Sequence, residues 1–108
     1  MLRGEVWWAE LPPPAGRRPV LLLSRNAAYV VRTSVTVAVI TRTIRSIPTE
    51  VPLGPADGMR TKCVVNLDDI LTIPKSRLTE RIAALSPAKM TDVDKAVAFA
   101  LDLRDYAS

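Results

Sequence analysis

Residues 19–24 read Pro-Val-Leu-Leu-Leu-Ser, a continuous apolar run with turn-forming residues on either side. A short run of this kind is typical of a strand that is covered on both faces. We therefore predict that it lies near the centre of a sheet. A second strand is predicted at residues 33–41, where Val35, Val37 and Val39 alternate with small or polar residues and turn one valine face inward.

Shorter strand patterns surround these two. Residues 4–11 are rich in β-formers and stop at Pro12, Pro13 and Pro14, which predict a stiff loop. Residues 49–53 contain Pro52 and are predicted to form an edge strand. Further short strands are predicted at 61–65, 70–73 and 82–85, with turns at Asp57-Gly58 and at 74–77.

The last segment changes to a helical period. Its apolar face comprises Met90, Val93, Ala96, Val97, Ala100 and Leu101, behind Ser86 as the N-cap and Pro87 at the first helical position. Its outer side is predicted to carry Asp92, Asp94, Asp102 and Asp105, which would make it a poor surface for a polyanion. The chain is thus predicted to be one α+β domain, residues 1–108, built on a small curled sheet or barrel.

Composition excludes several kinds of chemistry. The chain has no histidine and one cysteine, Cys63, so histidine-based nucleophile systems, an intrachain disulfide and the usual zinc sites are closed to it. We expect no metal and no cofactor. No apolar run approaches the roughly 20 residues that a membrane span requires, and we expect a cytoplasmic protein without membrane contact.

The charge is unevenly distributed along the chain. The net charge is +4, but residues 1–62 carry +5 and residues 63–108 carry −1. Eleven of the fifteen cationic residues are arginine, whose planar fork suits bidentate contacts to phosphate. The pattern indicates either a face that meets phosphate or an acidic partner, or a basic surface that serves solubility alone.

Four short strings of sequence occur in an order that resembles the MazF/PemK toxin endoribonucleases. They are Arg3-Gly4-Glu5-Val6-Trp7-Trp8, Gly16-Arg17-Arg18-Pro19-Val20-Leu21-Leu22-Leu23-Ser24, Val39-Ile40-Thr41 and Lys75-Ser76-Arg77-Leu78. The similarity extends from residue 3 to about residue 104. Each string alone is weak, but the four together in one small domain are fairly specific.

The resemblance implies a small SH3-like β-barrel of the CcdB/PemK type with a C-terminal helix, acting as a homodimer. It also implies cleavage of single-stranded RNA without metal, to 2′,3′-cyclic phosphate and 5′-hydroxyl ends, and inhibition by a cognate antitoxin. The matching catalytic positions are Arg18 and Thr41. A fixed guanidinium and a hydroxyl donor would stabilise the charge that builds on the phosphoryl oxygens during attack.

Other residues have two interpretations each. Arg17, Arg42, Thr43 and Arg45 flank the expected centre and either contact phosphate or keep the rim soluble. Asp68 and Asp69 match family positions that contact bases, and the alternative is a solvent-facing turn. Trp7 and Trp8 are expected on opposite faces of one strand, so that at most one joins the core fully and the other stacks a base or lines an interface.

The sequence departs from the family in its first loop. Many relatives have an acidic residue there, whereas this chain has Pro12-Pro13-Pro14-Ala15-Gly16, so the general base stays open. Two other functions keep the same barrel. One is a CcdB-like toxin that binds DNA gyrase without cutting RNA, and the other is a non-catalytic nucleic-acid-binding module.

Overall fold

Two neighbouring strands, β2 (Arg17–Leu22) and β3 (Ser34–Thr41), form the middle of the sheet in the computed structural model, which describes residues 1–104. They run antiparallel with Val20 opposite Val39 and Leu22 opposite Val37. Val20, Leu21 and Leu22 are fully buried although they alternate between faces. The predicted central strand with two covered faces is therefore confirmed, and it begins at Arg17 instead of Pro19.

The remaining elements extend the sheet on both sides. The other strands are β1 (Glu5–Glu10), β4 (Glu50–Leu53), β5 (Cys63–Pro74) and β6 (Leu78–Ala84), and the helices are α1 (Ala28–Val31) and α2 (Pro87–Ala100). The strand order is β4-β5-β3-β2-β1-β6, and every pairing is antiparallel. The sheet curls into a half-barrel with a C-terminal helix, as expected, and β4 lies at its edge as predicted. Within the described residues, neither α1 nor α2 is long and apolar enough to cross a membrane.

Each face of the sheet has its own apolar cluster. The first contains Val6, Leu21, Ile40, Val65 and Val93, and so joins the strands to α2. The second contains Val20, Leu22, Val35, Val37, Val39 and Tyr29 of α1. Successive residues of β2 and β3 therefore belong to opposite clusters, as the pleat of a strand requires.

Helix α2 begins as predicted. The Ser86 hydroxyl accepts a hydrogen bond from the Lys89 backbone N–H at 3.1 Å, and Pro87 takes the first helical position. Met90, Val93, Ala96, Val97 and Ala100 contact the first cluster. Leu101 lies beyond the end of the helix and is exposed, so its assignment to the apolar face was wrong.

The acidic side of α2 is only partly as expected. Asp92 is exposed, but Asp94 is half-buried and forms an ion pair with Arg3 at 2.7 Å, which fastens the helix to the start of the chain. Asp102 follows the helix, and Asp105 lies outside the described residues.

Strand β5 differs most from its prediction. The two strands expected at 61–65 and 70–73 are one strand of twelve residues. The register against β3 shifts between Ala38 and Val39, which pair with Ile70 and Asn66, so that Leu67, Asp68 and Asp69 form a bulge. The polar pair that suggested a turn is this irregularity within a continuous strand.

The first strand has irregularities of its own. Its register against β6 shifts on either side of Trp7 and Trp8, and both indoles are half-buried. Neither tryptophan joins the core fully, which agrees with the prediction that at most one of them could.

The half-barrel is closed by residues 54–62, which we call the closing loop. The loop contains a 3-10 helix, Pro55–Asp57, followed by Gly58 at φ +90°. A Cβ atom on Gly58 would lie 2.8 Å from the Cβ of Ala83 on β6. Glycine is needed here both for the left-handed backbone and for the close approach, which brings the loop onto the edge of β6.

We expect Gly58→Ala to destabilise the protein, because the added methyl group meets Ala83 and the backbone conformation is unfavourable for alanine. The loss in unfolding free energy should be about 1–3 kcal/mol, measured by chemical denaturation. Gly54→Ala is the matched control, since Gly54 has an extended backbone and open space around the added carbon. Equal stability of Gly58→Ala and the parent chain would contradict the proposed closure.

Candidate active site

A cleft of about 840 Å³ opens where β2 begins and β3 ends. Its polar lining comprises Arg17, Arg18, Thr41, Arg42, Arg60 and Thr61, and its apolar lining comprises Trp8, Ala15, Pro19, Ile40, Met59, Cys63 and Ile82. The volume is in the range of ordinary ligand sites. Four guanidinium groups meet at one end of the sheet, which suits a polyanionic ligand.

The structure brings Arg18 and Thr41 to the same cleft. If the pairing of Val20 with Val39 is continued outward by two residues on each strand, Arg18 stands opposite Thr41. Both side chains are half-buried. The Arg18 Nε donates a hydrogen bond to the Ala15 carbonyl at 3.2 Å, which anchors the guanidinium to the first loop.

The Thr41 hydroxyl has a defined role in the local backbone. Its Oγ1 accepts a hydrogen bond from the Thr43 N–H at 3.1 Å. A hydroxyl has one proton to donate in addition to its acceptor positions. With an acceptor position engaged by Thr43, the proton of Thr41 is available to a ligand in the cleft.

Arg17 and Arg42 also line the cleft, as expected of residues that flank it in sequence. Arg42 is exposed, whereas the Arg17 guanidinium lies over the Trp8 ring at 4.3 Å from its centroid. Two carboxylates flank Arg17, Glu10 at 3.7 Å and Glu80 at 3.8 Å. The Arg17 guanidinium therefore already contacts a ring and two carboxylates, and it is only partly free to bind phosphate.

The other predicted RNA contacts lie outside the cleft lining. Thr43 and Arg45 are exposed on the segment that follows β3. Asp68 and Asp69 are exposed on the bulge of β5, where Asp68 accepts a hydrogen bond from the Thr49 hydroxyl at 2.6 Å. A contact from these residues to RNA requires a substrate that extends past the cleft.

Sequence reasoning missed Arg60 and Thr61, which the closing loop brings to the cleft. Nothing in the sequence marks Arg60 apart from other surface arginines, because its position depends on the loop crossing to β6. The only available signal was its place in the basic first part of the chain.

Sequence reasoning also missed Glu50, which organises the segment after Thr41. Glu50 is 8% exposed, and its Oε1 accepts hydrogen bonds from the backbone N–H groups of Arg45 at 2.9 Å and Ser46 at 3.0 Å. Ser46 has a φ of +57°, so the segment turns sharply at this carboxylate. Glu50 thereby fixes the path of residues 42–48 beside the cleft.

The thiol of Cys63 lies at the apolar side of the cleft. Burial, with a smaller contribution from the Asp57 carboxylate, raises the pKa of this thiol. The thiolate is the reactive form of cysteine, so Cys63 is a poor nucleophile near neutral pH. Among residues 1–104 there is also no group of three or more side chains of the types that ligate metal.

A curled antiparallel sheet with an arginine-lined cleft at the end of its central strands defines a small protein suited to a polyanionic ligand. The model of the family described as PemK-like, MazF-like toxins of type II toxin–antitoxin systems matches residues 2–101. A relative from Mycobacterium tuberculosis, named probable endoribonuclease MazF5, is 39% identical over 93% of this chain and 92% of its own.

Solved structures agree with this assignment. A mycobacterial endoribonuclease in complex with its cognate antitoxin has a TM-score of 0.85 and 36% identity, over 95% of this chain and 96% of the other. The Mycobacterium tuberculosis toxin MazF-mt6 has a TM-score of 0.84 and 35% identity, over 91% and 96%. The chain belongs to the family of PemK-like and MazF-like toxins.

We expect Glu50→Ala to loosen the segment that follows Thr41, because two backbone N–H groups lose their acceptor. Each lost hydrogen bond costs about 0.5–1.5 kcal/mol, and the amides of Arg45 and Ser46 should exchange their hydrogens faster. Glu50→Gln keeps an acceptor oxygen and should cost less. Unchanged exchange at both amides in Glu50→Ala would contradict this role for the carboxylate.

Proposed function

We propose that this chain cleaves single-stranded RNA at a short sequence motif without a metal ion, with Arg18 and Thr41 at the reaction centre. The observation that carries the proposal is the convergence of these two side chains in one arginine-lined cleft. Family membership and relatives that are named endoribonucleases support it.

The proposed reaction is an attack of the ribose 2′ oxygen on the adjacent phosphorus. A bond forms between phosphorus and O2′ while the bond between phosphorus and O5′ breaks, giving a 2′,3′-cyclic phosphate and a 5′-hydroxyl. In the transition state the charge on the non-bridging oxygens increases. The Arg18 guanidinium and the Thr41 hydroxyl are donors that stabilise this charge more than that of the ground state.

Proton transfer is assigned to water. The lining of the cleft in the described part of the chain contains no carboxylate and no imidazole. Arginine is too basic to exchange protons easily at neutral pH. Water therefore takes the proton of the 2′-hydroxyl and supplies one to the departing O5′.

The biological setting follows from the same proposal. Cleavage of RNA in the cytoplasm would halt translation, and a cognate antitoxin would restrain the enzyme. The mycobacterial relative that was solved with its cognate antitoxin supports such a partner. The basic charge of residues 1–62 suits an acidic segment that orders when it binds.

We also propose that the chain acts as a homodimer, as the resemblance implies. Two adjacent apolar side chains of α1 are exposed on the single chain, Val30 at 84% and Val31 at 69%, and a second copy can cover such a surface. Light scattering should give twice the chain mass of 11.8 kDa. A single-chain mass at micromolar concentration would contradict the dimer.

The catalytic assignment is tested with a long defined RNA incubated in EDTA, with the ends of the fragments mapped. The parent protein should produce discrete cuts with 5′-hydroxyl ends. Arg18→Ala and Thr41→Val should each lower the rate by about 10²–10³, and Thr41→Ser should retain much of it. Thr72→Val is the control, because Thr72 is exposed on β5 outside the cleft lining and should leave the rate unchanged.

The same RNA assay, together with a growth assay of cells that express the variants, separates the other functions. RNA that is bound but left intact would identify a non-catalytic nucleic-acid-binding module. Growth arrest that survives Arg18→Ala would point to a CcdB-like toxin that binds gyrase by its surface. Full cleavage by both Arg18→Ala and Thr41→Val would contradict the assigned centre.

A further inference from the structure

The cleft has two chemically different halves, one on each side of β2. Arg18 belongs to the same face of β2 as Val20, whereas Arg17 and Pro19 belong to the face of Leu21. On β3, Thr41 and Ile40 are divided in the same way. The half that holds Arg18 and Thr41 is polar.

The other half is apolar and includes Trp8, which is half-buried. We assign to it the apolar residues of the cleft lining other than Ala15, which lies beside Arg18: Trp8, Pro19, Ile40, Met59, Cys63 and Ile82. Trp8 stands between Pro19 on β2 and Glu80 on β6, so both neighbouring strands fix its place. An apolar recess directly beside a cationic rim matches the two parts of a nucleotide, a flat base and a charged phosphate.

Arg17 is positioned by an aromatic ring and two carboxylates. Its guanidinium lies over the indole of Trp8 at 4.3 Å from the ring centroid, and Glu10 and Glu80 flank it at 3.7 and 3.8 Å. Half of the Arg17 side chain remains exposed. Because both carboxylates offset its charge, Arg17 is better suited to stacking than to binding phosphate.

We propose that the apolar half of the cleft is a nucleobase pocket and that the Trp8–Arg17 stack is its wall. The base belongs to a nucleotide next to the phosphate that Arg18 and Thr41 hold, so this inference rests on the proposed function. Unpaired RNA bases stack on aromatic rings and on guanidinium planes. The wall would thereby place the substrate and contribute to the choice of cleavage motif.

The test compares an intact oligonucleotide with abasic ones. The probe is a short RNA that carries the mapped cleavage motif, with a 2′-deoxy sugar at the cut so that it binds without reacting. An abasic site is placed in turn at each position that flanks the scissile phosphate. At one position, loss of the base should weaken binding to the parent protein by about tenfold, as expected for one stacked base.

Two variants report on the wall. Arg17→Lys keeps the charge and removes the plane, and Trp8→Leu keeps an apolar side chain and removes the ring. Both should bind the intact oligonucleotide about tenfold more weakly and should no longer distinguish it from the abasic one. Arg32→Lys is the matched control, because Arg32 is exposed and lies outside the cleft lining, and it should behave as the parent. Circular dichroism checks that each variant is folded.

The outcomes are distinct. An abasic penalty that persists unchanged in folded Arg17→Lys and Trp8→Leu overturns the base pocket and leaves the nuclease intact. Weaker binding of Trp8→Leu alone, with Arg17→Lys equal to the parent, removes Arg17 from the wall. A parent protein that cuts no RNA overturns the proposed function, and the base pocket with it.

Discussion

The burial of β2 on both faces is the constraint on which the rest of the structure depends. A slip of one residue would move Val20 and Leu22 into the cluster that holds Leu21, so the two apolar clusters fix the register strongly. The same register, continued by two residues, sets Arg18 against Thr41, and both residues line the cleft. Apolar side chains in the core therefore determine the relative position of the Arg18 and Thr41 side chains, which form no hydrogen bond with each other in the structure.

The cleft gathers like charges that repel one another. Four guanidinium groups line it, and only part of their charge is offset, by Glu10 and Glu80 at Arg17 and by the Ala15 carbonyl at Arg18. Arg17, Arg42 and Arg60 are exposed, so water and salt screen this repulsion in part. A phosphate chain relieves it, which favours a polyanion over a neutral ligand without any contact to a base.

The parts of the fold with a clear period could be predicted from the sequence. Alternation defined β3, and Ser86 with Pro87 defined the start of α2. Strand β5 was divided in error, because a bulge at Asp68 and Asp69 has the composition of a turn. The period of the sequence cannot distinguish a bulge from a turn, because the pairing of β5 with β3 decides which of them forms.

The residues of the candidate site also fall into two groups, those that the sequence could predict and those that it could not. Arg18 and Thr41 were predictable because they end strands and match a family pattern, whereas Arg60 reaches the cleft only through the path of the closing loop. The role of Arg17 also depends on the neighbouring strands, since Trp8, Glu10 and Glu80 determine what its guanidinium contacts. Such roles arise from tertiary contacts and leave no local mark in the sequence.

The pairing of β1 with β6 brings together the first and the last strand along the chain. Trp8 pairs with a second strand only when Glu80 of β6 is in place. The closing loop likewise packs against β6 only when Ala83 is present. In a chain emerging from the ribosome, β6 must therefore have been released before this cleft exists. Trp8, Arg17 and Arg18 are made early in synthesis, yet they lie in a complete cleft only after the last strand has joined the first.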